Sequence, residues 1–174
     1  SAMLAILMVV TMFPVTAFAA TSETWTKVDL ADIKETDTVT ITMTDSSGNT
    51  YALYNGNGAS KAPVAVVCAV SGNTMTAEQS SSDIGWNISN NSGTLIIYKA
   101  GTKDAWLYST NTNNGTRVGS NESKTWVIDS ASGYLKHEGT GRYLGVYLTN
   151  PDWRCYTSIN NNITGQTLGF YVKG

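Results

Sequence analysis

The chain has 174 residues, which suits one ordinary domain, and only 14% of them are Asp, Glu, Lys or Arg, with a formal net charge of −2. The 11 basic residues are scattered along the chain, which argues against a nucleic-acid footprint because phosphate neutralisation needs clustered Lys and Arg. The surface must therefore consist mostly of Ser, Thr, Asn and Gly, a composition typical of exported β-proteins rather than cytosolic enzymes.

The first segment, residues 1–19, predicts a signal peptide. It is apolar and uncharged from Leu4 to Ala19, contains the helix-breaking Pro14, and ends in a small-x-small cleavage pattern at residues 17–19. A retained membrane anchor is the alternative, but the apolar stretch is short for a span, which needs ~20 residues. The basic region that normally begins such a peptide is missing, which indicates a truncated start. We expect a mature, secreted chain from about Ala20, with no membrane segment after cleavage.

Residues 20–37 predict an N-terminal adaptor segment, which includes the one helix-like pattern of the chain at residues 27–35. From residue 38 onward, short runs rich in Val, Ile, Thr, Tyr and Trp alternate with clusters of Asn, Gly and Ser, a pattern typical of strands and turns. The predicted strands cover residues 38–44, 50–55, 64–70, 74–79, 85–89, 94–99, 105–110, 116–120, 125–130, 133–138, 142–148, 153–157 and 168–173.

These strands repeat in three units of about four strands, at about 38–90, 92–130 and 132–173. The fourth strand of each unit carries a large aromatic residue before an aliphatic one, and the second strand carries an aromatic residue followed closely by leucine. The aromatic residues are Trp86, Trp126 and Phe170 in the fourth strands, and Tyr51, Trp106 and Tyr143 in the second strands. Three such units predict an all-β, β-trefoil-like domain over residues 38–174, with a β-sandwich as the alternative. We therefore expect Trp86 and Trp126 in the core, and Trp106 and Tyr143 as structural residues of the barrel layers.

A family resemblance runs from about Trp25 to Val172. It is carried by KVDLADIKETDTVTITM, LIIYKAG, SASGYLKHEGTGRYLGVY, DWRCYT and QTLGFYVK. These segments resemble the β-rich accessory modules of large secreted or surface-attached proteins of anaerobic gut-type bacteria, which accompany nuclease, phosphatase or glycan-active domains. The resemblance implies a cell-surface module that is covalently linked to a catalytic domain. The chain is also loosely similar to ricin-B-type lectins, but the Gln of their Gln-x-Trp signature is absent before Trp86 and Trp126, so no lectin site residue is carried over.

The sequence offers little catalytic or metal-binding chemistry. Its single histidine, His137, adjoins Glu138 on a predicted strand, where neighbouring side chains point to opposite faces, so we expect a solvated surface histidine. Neither a Gly-x-Ser-x-Gly nor a His-Glu-x-x-His motif occurs. Export permits a disulfide between Cys68 and Cys155, with two buried thiols as the alternative, and their spacing matches no zinc site. We therefore expect a non-catalytic module without a cofactor or metal, and a small stand-alone hydrolase is the least favoured alternative.

The candidate binding residues lie in the segment TNPDWRCYTS, residues 149–158. At an offset of 37 residues, Arg154 and Cys155 match Arg117 and Val118 of the preceding unit. The two arginines are therefore interpreted as structural, each holding loop carbonyls or a carboxylate with its planar fork. Asp152, Trp153 and Tyr156 have no such counterparts and, with Asn150 and Tyr147, form the predicted ligand site.

Tyr and Trp join an apolar face to a polar tip, so these residues suit a glycan or another cell-surface polymer. The alternative for Trp153 is packing over the barrel end. The alternative function for the whole chain is a structural or protein-interaction spacer of a larger surface protein.

Overall fold

A computed structural model describes residues 22–174. This described part is all-β, with 48% strand and 5% helix. Its strands are β1 Glu23–Val28, β2 Val39–Thr44, β3 Thr50–Leu53, β4 Ala65–Ser71, β5 Thr74–Ala77, β6 Trp86–Asn91, β7 Thr94–Lys99, β8 Trp106–Ser109, β9 Thr116–Gly119, β10 Thr125–Ile128, β11 Leu135–His137, β12 Arg142–Tyr147, β13 Asp152–Tyr156 and β14 Thr167–Lys173. Helical structure is limited to a 3₁₀ turn at Leu30–Asp32 and one α-helical turn, α1, at Ser81–Ile84. The predicted signal peptide lies outside the described residues, and none of the helices in the described part is long and apolar enough to cross a membrane.

Six strands close into a barrel in the order β2, β3, β4, β5, β1, β14 and back to β2, with every neighbouring pair antiparallel. Closure leaves no unpaired edge among these strands, which protects a Val- and Thr-rich chain from edge-to-edge association. The other strands extend from β2 through β6, β7, β10, β11, β12 and β13, with β8 and β9 joined to β7. All fourteen strands therefore belong to one continuous hydrogen-bonded sheet.

The prediction of an adaptor at residues 20–37 is wrong for β1. This strand is part of the closed barrel, where Trp25 pairs with Lys173 on one side and Met75 on the other. The Trp25 side chain has no exposed surface. The polar residues between the apolar positions of β1 hide its strand character in the sequence, and only pairing on both sides reveals it. The helix-like pattern at residues 27–35 corresponds to the short 3₁₀ turn.

Two hydrophobic clusters lie on opposite sides of a wall formed by β2, β3 and β14. In β2, Ile41 and Met43 pack in the larger cluster, whereas the alternate residues Thr40 and Thr42 are equally buried on the other face. The smaller cluster, inside the closed barrel, contains Trp25, Ala52, Val66, Cys68, Met75, Ala77, Ile84 and Tyr171. Both faces of the wall are therefore dry, which fixes the register of these strands because a one-residue slip would exchange the two faces.

The larger cluster contains two tryptophans that make the same contact. Trp86 donates its indole Nε1–H to the carbonyl of Leu53 at 3.0 Å, and Trp126 donates to the carbonyl of Leu107 at 2.9 Å. The sequence predicts both tryptophans as core residues, and the structure buries both completely. Each therefore ties a fourth-strand residue to the second strand of its own unit.

Candidate functional site

Trp153, the central residue of the predicted ligand site, lies in the core. It is fully buried in the larger cluster, and its indole Nε1–H donates to the carbonyl of Ala52 at 3.1 Å. Pairing of β13 with β12 sets Trp153 opposite Val146, which is buried as well. A ligand cannot reach this ring, so the prediction that Trp153 contacts ligand is corrected to the packing alternative.

The polar residues around Trp153 satisfy one another. Arg154 places Nε 2.6 Å from Oδ1 of Asp152 and Nη2 3.2 Å from Oδ2 of the same carboxylate. Asn150 donates to Oδ2 of Asp152 at 3.0 Å, and the Arg154 guanidinium lies 4.1 Å from the centre of the Tyr147 ring. The hydrogen bond that Arg154 donates to Asp152 raises the pKa of Arg154. This is the carboxylate-holding role that the sequence predicts for Arg154, and it leaves Asp152 buried and its charge neutralised.

The remaining residues of the predicted site divide between core and surface. Tyr156 is buried in the larger cluster, and burial raises the pKa of its hydroxyl. Tyr147 is half-buried and Asn150 is exposed, so these two are the candidates that a ligand can touch. Arg117, the counterpart of Arg154, donates to the carbonyls of Asn114 at 2.8 Å and Thr116 at 2.7 Å, which is the loop-holding role predicted for it.

Cys68 and Cys155 are free thiols, and both are buried. They belong to different hydrophobic clusters, so the disulfide considered from the sequence is not formed and the alternative of two buried thiols describes the structure. Burial raises the pKa of each thiol to about 11. The hydroxyl of Thr116 lies 3.4 Å from the sulfur of Cys155, and neither cysteine is poised as a nucleophile because a reactive thiol needs a lowered pKa.

His137 is a core residue, which corrects the expectation of a solvated surface histidine. It is fully buried with its ring 4.8 Å from that of Trp126. Its Nε2 lies 2.8 Å from the carbonyl of Ser123, and its Nδ1 accepts the backbone N–H of Thr140 at 3.2 Å. Burial lowers the pKa of His137. Nδ1 thus holds the turn after β11, and Nε2 contacts the loop before β10.

Partly accessible aromatic surface remains at Trp106 and Tyr143, which the sequence assigns to the barrel layers. Both side chains are half-buried, as are those of Tyr51, Tyr54, Tyr98 and Tyr147. Trp106 meets the ring of Tyr98 edge-on at 6.3 Å between centroids, and its indole Nε1–H donates to the carbonyl of Asn121 at 2.6 Å. The ring orientation of Trp106 is therefore fixed by two contacts while part of its surface stays open.

Each of these two rings carries a lysine. The Nζ atom of Lys124 lies 4.3 Å from the ring centre of Trp106, and that of Lys136 lies 5.1 Å from the ring centre of Tyr143. We call Trp106 with Lys124 and Tyr143 with Lys136 the two aromatic–lysine pairs. Their residue types were visible in the sequence, but their accessibility was not, since it depends on which barrel face each strand presents.

Within residues 22–174, no group of three or more His, Cys, Asp or Glu side chains could hold a metal ion.

Comparisons with known proteins add little information about the two aromatic–lysine pairs. No family model matches the chain, and no curated protein matches it significantly. Among solved structures, the chain is similar to one from the S. cerevisiae protein O-mannosyltransferase Pmt1-Pmt2 complex bound to the sugar donor, with 12% sequence identity and a TM-score of 0.48. That similarity covers 88% of this chain and 26% of the other, so this chain spans about a quarter of the solved one.

Proposed function

We propose that the chain is a secreted, non-catalytic accessory module that binds a glycan or another extracellular polymer through the two aromatic–lysine pairs. The observation that carries the proposal is that Trp106 and Tyr143 stand at equivalent places at the offset of 37 residues, each partly accessible and each beside a lysine. Aromatic faces with adjacent polar groups suit sugar rings, which have an apolar face and polar edges. Rigid strands hold both rings, which lowers the entropy lost on binding.

The fold that best accounts for this equivalence is a β-trefoil. Its barrel would comprise β2, β6, β7, β10, β11 and β14, and would share β2 and β14 with the closed barrel of β1–β5 and β14. The hairpins β3–β4, β8–β9 and β12–β13 would be its caps, with β3 and β4 also belonging to the closed barrel. Pairings join these barrel strands from β14 through β2 to β11. The Tyr134 hydroxyl, which donates to the carbonyl of Ile163 and accepts the N–H of Gln166, links the segments that precede β11 and β14. A single continuous sheet favours this arrangement over a sandwich, which has two packed sheets.

Burial at the offset of 37 residues supports the same proposal. Leu107 and Leu144 are both buried, and Arg117 and Arg154 are both partly exposed. Thr116, the counterpart of Trp153, is also fully buried. Turn glycines recur too, since Gly93 and Gly133 open the second and third units with φ values of 96° and 76°, a conformation that favours glycine.

A second candidate function, a protein-interaction spacer of a larger surface protein, is favoured by a different surface. Val64, Val67 and Val70 at and near β4 are 42%, 68% and 41% exposed, and Leu148 is 44% exposed. Exposed apolar residues at and near one strand suit a protein partner better than a sugar. The two candidates therefore use different residues and can be separated by substitution.

The test is a glycan array followed by calorimetry on the purified protein. We expect binding to at least one host, plant or bacterial polysaccharide, with Trp106→Ala and Tyr143→Ala each weakening it. Val67→Ser is the matched control, since it removes exposed apolar surface outside both aromatic–lysine pairs and should leave the affinity unchanged. Silence across all polysaccharides, or equal loss with Val67→Ser, would contradict the proposal.

A further inference from the structure

Lys124 and Lys136 are not among the basic residues that form ion pairs in the described part of the chain. Among residues 22–174, the ion pairs are Lys103 with Glu35, Arg154 with Asp152 and Lys173 with Glu23. None of them includes Lys124 or Lys136. The two lysines that lie against the candidate ring surfaces therefore have no carboxylate partner among residues 22–174.

The position of each charge is defined by its ring. A lysine ammonium within about 6 Å of a ring centroid is attracted to the aromatic face, and both pairs lie inside this range, at 4.3 Å and 5.1 Å. Lysine is also a compact, strongly hydrated point charge on a flexible stem, so it can turn from the ring to an anion while the ring accepts an apolar face. An uncharged sugar would use the ring and leave the ammonium unpaired, whereas an acidic sugar would use both.

The strand pairings place the two rings on one face of the sheet. Tyr143 pairs with Lys136, and Lys136 pairs with Val127 of β10. Two residues earlier in β10, Thr125 pairs with Ile96 of β7, and two residues later in β7, Tyr98 pairs with Trp106. Alternate residues of a strand share a face, so Trp106 and Tyr143 face the same way, with Lys136 on β11 and Lys124 one residue before β10. One extended chain can therefore contact both pairs, and the second contact is then intramolecular.

We propose that the ligand is an acidic polysaccharide whose carboxylate or sulfate groups pair with Lys124 and Lys136 while its sugar rings pack on Trp106 and Tyr143. This inference rests on the proposed function and names its ligand class. A nucleic acid is disfavoured because the chain has a formal net charge of −2 and scattered basic residues.

The experiment compares polygalacturonate with its fully methyl-esterified form, which has the same sugar without the charge. Calorimetry on the purified protein should give an affinity at least about tenfold higher for the acid form at low salt, since a surface charge contact is worth about one such factor. The preference should shrink as salt shortens the Debye length from about 10 Å at 0.1 M to about 3 Å at 1 M. Chondroitin sulfate, against its desulfated and carboxyl-reduced form, provides a second matched set.

The double variant Lys124→Gln/Lys136→Gln should lose the preference for the acid form and keep affinity for the ester. Its control is Lys34→Gln/Lys61→Gln, which removes the same net charge from two exposed lysines elsewhere and should keep the preference. Equal loss in both double variants would mean that only net charge acts and would overturn the inference. Equal binding of acid and neutral forms in both sets would also overturn it while leaving the proposed function standing, and no binding to any polysaccharide would remove the proposed function itself.

Discussion

Replacing Trp153 distinguishes a core residue from a ligand contact. The side chain has no exposed surface and donates one hydrogen bond, to the carbonyl of Ala52 at 3.1 Å. Trp153→Ala should therefore lower the free energy of unfolding by about 3 to 5 kcal/mol, the range for large aromatic truncations in cores. Trp153→Phe keeps most of the ring and loses the indole donor, so it should cost about 1 to 2 kcal/mol.

The matched control is Trp106→Ala, which removes a tryptophan that is only partly buried. Its expected cost is smaller, about 1 to 3 kcal/mol, from the lost hydrogen bond to the carbonyl of Asn121 and the lost partial burial of the ring. Urea unfolding followed by circular dichroism gives these differences from the midpoints, provided that the slopes stay constant. The reasoning fails if Trp153→Ala costs no more than Trp106→Ala, or if it abolishes polysaccharide binding while the protein remains as stable as the parent.

Three other predictions concern His137, the two thiols and a tight glycine. Burial lowers the folded-state pKa of His137. The neutral histidine therefore contributes its full stability above the unfolded pKa of about 6.5, and this contribution is lost as the pH falls below that value. Urea midpoints measured from pH 7.5 to 5.5 should fall less steeply in His137→Gln than in the parent. Cys68 and Cys155 are both buried, so a thiol reagent should label neither in the native protein and both in urea, and rapid labelling of a native cysteine would contradict their placement. A Cβ on Gly145 would stand 2.6 Å from Cβ of Ile163, so Gly145→Ala should cost about 1 to 3 kcal/mol by overpacking, and an unchanged thermal midpoint would show that this contact relaxes freely.

The sequence predicted most strands because their residue types are decisive. Runs such as residues 38–44 and 94–99 combine β-branched residues with flanking Gly and Asn, and β2 and β7 lie there. Strand β1 was missed because its Thr, Lys and Glu residues break up the apolar pattern. The second dry face of β2 was not predictable either, since alternating threonines usually indicate a solvent-facing side and here Thr40 and Thr42 are buried.

The site was harder to predict than the strands because tryptophan suits both core and surface. Sequence reasoning left Trp153 between a ligand contact and packing over the barrel end, and assigned Trp106 to the barrel layers. The structure buries Trp153 and leaves Trp106 partly accessible. Register decides the difference, as β13 turns Trp153 inward opposite Val146. Thr116, the counterpart of Trp153, is buried as well. The sequence did not predict this burial, because a threonine in so polar a sequence is expected at the surface.

The lack of a carboxylate partner for Lys124 and Lys136 among residues 22–174 lay beyond sequence reasoning for a different reason. Whether a lysine has a carboxylate partner depends on contacts between residues far apart in the chain, such as Lys103 with Glu35 at 2.6 Å. The sequence supplies only the total charge. Three-dimensional placement alone separates Lys124 and Lys136 from the lysines and arginines that are already paired.

The central claim, that Trp106 belongs to a ligand surface and Trp153 to the core, can be tested by one spectrum. The chain has 5 tryptophans, and each gives a separate indole signal in a ¹H–¹⁵N correlation spectrum, assigned by single Trp→Phe variants. On addition of polygalacturonate, the account predicts that the Trp106 signal shifts while the signal of the buried Trp153 stays in place. A shift of the Trp153 signal with Trp106 unmoved would contradict the account.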